Sequence, residues 1–252
     1  MSYPVKTWRP KLWTPLRTSI VRSPNLLKDP SLVAAYEFNE PNIGVDLSGK
    51  ENHLTNVGVT YLGGAKFVRA EGDYLYRPDT NLSAGFPGTA GYTDLAIYCE
   101  FTLASLPQPN EHYSLAVKRT SSAACWWITY YRDSSAPYNV RLYFVIGINE
   151  GTNWEFKQIY LGDLDFSRHM LGISFDDSAK SGYFKLVRSS DGAVLADSSF
   201  STANNMNAEA SSFYVGTYDA ANHFFDGTIH SLYISNTPKT EADFDAMANR
   251  TY

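Results

Sequence analysis

The chain has 252 residues, of which 44% are hydrophobic, 19% charged and 15% aromatic, with a formal net charge of −5. That is enough for one large core or two small ones, too apolar for intrinsic disorder, and without the ~18–20 consecutive apolar residues that cross a bilayer. Eighteen Tyr, 14 Phe, 5 Trp and 17 Gly favour strands and tight turns over a helical bundle, and two cysteines, Cys99 and Cys125, are too few for a disulfide scaffold.

The first 28 residues form a segment of different composition. They carry Lys6, Arg9, Lys11, Arg17, Arg22 and Lys28 and no acid, so this arm is +6 and the remaining body −11. Pro4, Pro10, Pro15 and Pro24 block regular helix and disfavour central strands. Tyr3, Trp8, Leu12, Trp13, Leu16, Ile20 and Val21 lie between them. Two readings are open: a solvated tail, or an extended arm whose rings dock on a partner or on the body. A solvated linker has no use for two Trp, which favours the second, with Trp8, Arg9, Trp13 and Arg17 as contact residues. Met1–Lys6 contains no apolar signal-peptide core, so the expectation is synthesis in a reducing cytoplasm. Because the basic charge sits on the arm and not on the body, nucleic acid is not an expected partner.

From residue 32 the pattern is strand after strand. Leu95, Ile97, Cys99, Phe101 and Leu103 alternate with Tyr98, Glu100 and Thr102, which predicts a strand with one apolar face. Similar runs predict strands at 113–118, 124–131, 138–148, 154–161, 169–175, 181–188, 212–217 and 228–234. Breaks such as Ser189-Ser190-Asp191-Gly192 separate them. A Thr N-cap, early acids and Phe244 with Met247 at i, i+3 predict one helix over 240–248. Many short strands at this spacing imply a sandwich or jelly roll of two antiparallel sheets over 29–252.

The order of features resembles the laminin-G-like, concanavalin-A-like domain superfamily. The resemblance is carried by Leu32-Val33-Ala34-Ala35-Tyr36-Glu37-Phe38 followed by Asp46-Leu47-Ser48-Gly49, by Gly64–Phe67 with Asp73–Leu75, and by Ser167–Asp176. It closes on Phe213-Tyr214-Val215-Gly216, Phe225-Asp226-Gly227-Thr228-Ile229 and Leu232–Asn236 before the helix. It implies a concanavalin-A-like jelly roll with an extended N-terminal arm and a short C-terminal helix. Many members hold a structural calcium ion, and the matching positions here are Asp46, Asn52 and Asp226. The alternative is that Asp46 makes an Asx-turn and Asp226 caps a hairpin. His230-Ser231 stands where the family carries an acidic pair, which weakens the calcium expectation. No other cofactor is implied.

Glycoside hydrolases on this kind of fold need two carboxylates facing the scissile bond. Glu241, Asp243 and Asp245 lie in the predicted helix, where a 3.6-residue period scatters them, and Asp163 and Asp165 bracket a loop. No Gly-x-Ser-x-Gly elbow occurs, so the expectation is a chain that is not an enzyme. Trp126, Ile128 and Tyr130 share one face of their strand, and Trp127, Thr129 and Tyr131 the other. Arg141 and Tyr143 lie opposite the apolar face of Val140, Leu142, Phe144, Ile146 and Ile148. If the apolar faces make the core, Trp127, Tyr131, Arg141 and Tyr143 share a partly exposed outer face suited to stacking on sugar rings. An aromatic ladder that only stabilises the sheet, or a subunit contact, fits the same pattern. Cys125 shares Trp127's face and Cys99 the core face, which predicts unpaired thiols. His112, His169 and His223 read as single structural residues.

Together these readings predict a non-catalytic, oligomeric structural or adhesion protein at a virion surface, as in phage decoration, fibre or tail proteins. Its expected partners are other particle proteins, through the arm, and a cell-surface polysaccharide, with no membrane insertion. The alternative is a stand-alone carbohydrate-binding (lectin) module of a bacterial protein.

Overall fold

A computed structural model of the chain describes residues 26–119, 124–134, 140–148, 153–161 and 165–249. Trp8, Arg9, Trp13 and Arg17, and with them the expected course of the arm, lie outside the described residues. Leu26–Lys28 forms a 3-10 turn just ahead of the first strand.

In chain order the first strands are β1 (Leu32–Tyr36), β2 (Thr55–Val57), β3 (Thr60–Tyr61), β4 (Ala65–Phe67) and β5 (Tyr74–Arg77). The long central strands follow: β6 (Leu95–Leu103), β7 (His112–Arg119), β8 (Ala124–Arg132), β9 (Val140–Ile148), β10 (Asn153–Leu161) and β11 (Arg168–Asp176). The chain closes with β12 (Ser181–Arg188), β13 (Val194–Ser201), β14 (Ser212–Val215), β15 (Gly227–Ser235) and helix α1 (Glu241–Asn249). They build two antiparallel sheets of a jelly-roll sandwich. The first runs β13-β12-β11-β6-β15-β4-β3, with β1 also on β15; the second runs β10-β9-β8-β7-β14-β5-β2. No helix among the described residues is long and apolar enough to cross a membrane.

Period-2 alternation explains the core. Leu95, Ile97, Cys99, Phe101 and Leu103 on β6 meet Trp126, Ile128 and Tyr130 on β8 and Leu142, Phe144 and Ile146 on β9, and all are buried in one cluster. Alternation misses the short β2 and β3 and the longer β13. β13 is the edge of its sheet, with Asp197, Ser198, Ser199 and Ser201 exposed, and it packs through Ala196 and Phe200. The Phe200 ring lies 4.7 Å from that of Phe184.

Cys125 departs from its expected face. Lys118 pairs with Trp126 and Arg119 with Ala124, which leaves Cys125 as the extra residue of a bulge. The bulge interrupts the alternation, so Cys125 turns in beside Trp126, and its Sγ lies 3.3 Å from the Gly88 carbonyl. Both thiols are buried and free, and burial pushes both upward in pKa.

Helix α1 opens with a reciprocal cap. The Thr240 N–H donates to Asp243 Oδ2 (2.7 Å), and the Asp243 N–H donates to Thr240 Oγ1 (3.2 Å). The helix buries Phe244 with Tyr98, Met170 and Val187 on the outer face of the first sheet. Gly172 makes this docking possible, because a Cβ there would lie 2.6 Å from the Phe244 ring. Gly172→Ala is therefore expected to destabilise the chain by ~1–3 kcal/mol, the range for overpacking. Adding Phe244→Ala should cost less than the sum of the two single changes, as thermal unfolding of the double-mutant cycle would read.

Candidate functional site

The outer face of the second sheet brings together the four residues expected there. Tyr131 pairs with Arg141 across β8–β9, Thr129 with Tyr143, and Trp127 with Val145. The Tyr131 and Tyr143 rings meet edge to face at 5.8 Å. Arg141 forms an ion pair with Asp133 and directs Nη1 to the Tyr143 hydroxyl at 3.4 Å. Tyr131, Arg141 and Tyr143 are half-buried.

Trp127 is not exposed, contrary to the sequence expectation. It is 7% exposed because the loop 217–224 folds across it. The Tyr218 ring sits 4.4 Å from it, His223 stacks on it at 5.8 Å, and His112 flanks it at 5.0 Å. Its Nε1–H donates to the Ser114 hydroxyl (2.9 Å), so the indole has no free polar tip. The Arg119 guanidinium lies 3.4 Å from the centre of the Tyr218 ring and holds the loop down from the other side. Alternation puts Trp127 on the correct face, but nothing local in the sequence says that a distant loop will cover it.

The histidines also correct the sequence reading. His112 and His223 are not scattered: their rings lie 5.0 Å apart. Burial, and then the neighbouring His223, hold His112 down at about 4; burial likewise lowers His223. Both imidazoles are therefore neutral at pH 7. His169 does stand apart, buried against the Phe101 ring at 5.6 Å.

Beside this pair opens a cleft of about 390 Å³. It is lined by Arg69, Asn110, Glu111 and His112 together with Asn222, His223 and Phe224. Arg69 Nη2 donates to Glu111 Oε1 at 2.5 Å. Asn110 accepts from the Tyr131 hydroxyl (3.1 Å), which joins the cleft to the outer face of β8 and β9. Asn110, Ala220 and His223 all adopt positive φ, at 64°, 64° and 56°. Two of these, Asn110 and His223, line the opening, and left-handed non-glycine backbone there marks strain retained at a site. Amides, a carboxylate and a guanidinium beside aromatic rings can exchange hydrogen bonds with hydroxyls while an apolar ring face is covered. The sequence signals that could have found this cleft are Asn110-Glu111-His112 at a strand start and Asn222-His223-Phe224 before Phe225, but only the fold pairs them.

The positions implied for calcium do not fit a cation. Asp46 Oδ1 accepts from the Ala35 N–H (2.8 Å) and the Ser48 N–H (2.9 Å). Its Oδ2 accepts from the Ser48 hydroxyl (2.8 Å) and the Asn52 N–H (2.9 Å). Four donors aimed at one carboxylate repel a metal ion, and they make the Asx-turn of the alternative reading. The Asn52 amide donates to the Val33 carbonyl (2.7 Å) and the Ser83 hydroxyl (2.7 Å) and accepts from the Ser83 N–H (2.8 Å). Asp226 accepts from the Ser105 hydroxyl. Among the described residues no group of three His, Cys, Asp or Glu side chains is arranged to hold a metal. His230, in place of the acidic pair, bonds to the Gly63 carbonyl (2.8 Å) and the Thr102 hydroxyl (2.9 Å).

Two outcomes follow from this geometry. Trp127→Ala is expected to lower stability by ~3–5 kcal/mol, as for a buried ring, and Tyr143→Ala by less than half of that, both read by denaturant unfolding. The depressed histidines give a pH dependence. Unfolded His titrates near 6.5 and folded His112 near 4, so between these values the unfolded chain binds more protons. Stability is thus complete above about pH 6.5 and declines as pH falls toward 4. Melting curves across this window should show the decline, and His112→Gln should reduce its slope.

No protein-family model matches the chain, and no curated protein matches it either. Solved structures resemble it at low identity. A domain of tailspike protein 2 from bacteriophage CBA120, described as enzymatically active, gives a TM-score of 0.55 at 13% identity, over 79% of this chain and 29% of that one. Domain 4 of AbnA, a GH43 extracellular arabinanase from Geobacillus stearothermophilus solved with arabinotriose, gives 0.60 at 15% identity, over 86% and 98%. The binding domain of botulinum neurotoxin DC, solved with SialylT, gives 0.59 at 11% identity, over 87% and 51%. The chain therefore spans under a third of the tailspike chain and about half of the toxin domain. At these identities the likeness establishes the two-sheet sandwich that the chain shares with them, and the fold alone.

Proposed function

We propose that the chain is a non-catalytic, carbohydrate-binding jelly roll of the laminin-G-like kind. In this reading it is displayed on a phage or similar particle, to which its basic arm, residues 1–28, ties it. The observation that carries the carbohydrate reading is the cleft lined by Asn110–His112 and Asn222–Phe224, which brings amides, a carboxylate and a guanidinium together with aromatic side chains. The solved structures supply the ligand class as a suggestion, since one neighbour was solved with arabinotriose and another is a phage tailspike domain. Of the groups lining the cleft, Glu111 is the one carboxylate, and Arg69 and the Gln108 N–H engage it. A hydrolase of the usual kind needs two, so a single engaged acid favours recognition over cleavage.

The test is a glycan array probed with the wild-type chain and with Arg69→Ala. The Arg69–Glu111 pair is more than a third exposed on the arginine side, so its loss should cost at most ~1 kcal/mol of stability. Binding should weaken at least tenfold while the melting temperature is kept. Failure of the wild type to retain any glycan, or an Arg69→Ala chain that binds equally well, would sink the reading. For the arm, Trp8→Ala with Trp13→Ala in the full chain should leave glycan affinity unchanged and abolish co-sedimentation with the particle. Unchanged co-sedimentation would leave the lectin module of a bacterial protein as the better account.

A further inference from the structure

Three tyrosines on the outer face of the second sheet take no part in the cleft. Tyr74 and Tyr76 project outward from β5 on either side of the buried Leu75. Tyr214 projects outward from β14 between the buried Phe213 and Val215, and it pairs directly with Tyr76. The ring centroids form a triangle of 5.9, 6.3 and 6.2 Å, and Tyr76 and Tyr214 stack with their planes 23° apart. All three rings are half-buried, so part of each remains open to solvent. Rings in this position present an apolar body with a polar tip open to solvent.

The trio is continuous with the cleft along two stretches of chain. Arg69, which lines the cleft, belongs to a 3-10 turn, Arg69–Glu71, that leads through Gly72 into β5. A Cβ on Gly72 would lie 3.5 Å from the ring of Phe224, another lining residue. On the other side, β14 runs from Tyr214 through Gly216 into the loop 217–224 that walls the cleft. Tyr74 thus follows Gly72 by two residues, and Tyr214 precedes the loop 217–224 by three, so both strands of the trio lead directly to cleft residues. Tyr74 and Tyr76 are about 7 Å apart along the strand, and Tyr214 stands about 4.8 Å to the side, a platform the size of one sugar ring. The cleft, at about 390 Å³, lies at the low end of the ~300–1,000 Å³ range of ligand sites and has room for one or two such rings. Arg69 and Glu111, the charged groups lining the cleft, neutralise each other, so the cleft does not select an anionic sugar.

We infer that the ligand is a linear, uncharged oligosaccharide of three or more units, one end held in the cleft and a later unit stacked on Tyr74, Tyr76 and Tyr214. The inference rests on the carbohydrate reading and adds length, charge and a second subsite to it. The experiment is calorimetric titration of the full chain with cello-, malto- and arabino-oligosaccharides of one to six residues, on wild type, Tyr76→Ala, Tyr76→Phe and Arg69→Ala. For a ladder that binds, affinity should rise at least tenfold between two and four residues. Tyr76→Ala should abolish that rise and leave disaccharide binding unchanged. Tyr76→Phe, which keeps the ring, should retain most of the rise and shows that the position tolerates change without unfolding. Arg69→Ala should weaken every length alike. Equal affinity for disaccharide and hexasaccharide, or a Tyr76→Ala chain with the wild-type length dependence, would overturn the second subsite and leave the cleft standing. Array binding confined to branched or anionic glycans would overturn the inference without touching the carbohydrate reading, whereas no binding to any glycan would remove both.

Discussion

The candidate site depends on where Phe225 is held. Its ring is fully buried between the sheets, edge-on to Phe67 at 5.9 Å and to Phe101 and Tyr113 at 6.4 Å each. Its N–H donates to the Gly216 carbonyl (2.8 Å), which ties the two ends of the loop 217–224 together. A buried Phe contributes several kcal/mol, far more than any surface contact of the loop. The core therefore fixes the loop's footing, and Tyr218 and His223 have little choice but to lie over Trp127. The Ser114 N–H, donating to the His223 carbonyl (3.0 Å), fixes the same loop to β7.

The two sheets do different work because their outer faces are finished differently. On the first sheet, α1 covers Tyr98, Met170 and Val187 with Phe244, and Lys185 reaches Glu241 (3.2 Å) and Asp245 (2.5 Å) on the helix. On the second sheet a short loop covers only Val117, Trp127 and Val145 and leaves half-exposed tyrosines on either side. Aromatic residues that would be a liability on a bare sheet are partly shielded there, and the shielding loop supplies one wall of the cleft. The strain at Asn110, Ala220 and His223 sits where the loop and the β7 entrance are forced together, as expected when geometry at an opening is set by constraints elsewhere.

What the sequence made legible follows from the range of the forces involved. Alternation is local, so Leu95–Leu103 and Ser181–Arg188 can be read to the residue, and the inward set Trp126, Ile128 and Tyr130 is correct. The same rule fails at Cys125, where one inserted residue shifts the phase, and at Val194–Ser201, where an edge strand has only one neighbour and no apolar period to show. It groups Tyr131, Arg141 and Tyr143 correctly because they are cross-strand neighbours. It misses the pairing of His112 with His223 because that contact joins residues far apart in the chain. The calcium expectation fails for a different reason: residue types matched, but the carboxylate of Asp46 faces N–H donors that only the folded turn reveals.

Asp29 and Lys239 form an ion pair at 2.5 Å that joins the beginning of the folded body to the segment leading into α1. Asp29 also borders a small apolar recess with Leu32, Tyr98 and Phe244, against the first sheet. The chain thus enters the sandwich on the helix-covered side, while the cleft and the tyrosine platform open on the opposite sheet. Chain entry and cleft are separated by the full thickness of the core. A grip on the chain immediately at Asp29 would hold the molecule on its helix-covered side, and many copies held in this way would present their clefts in one common direction.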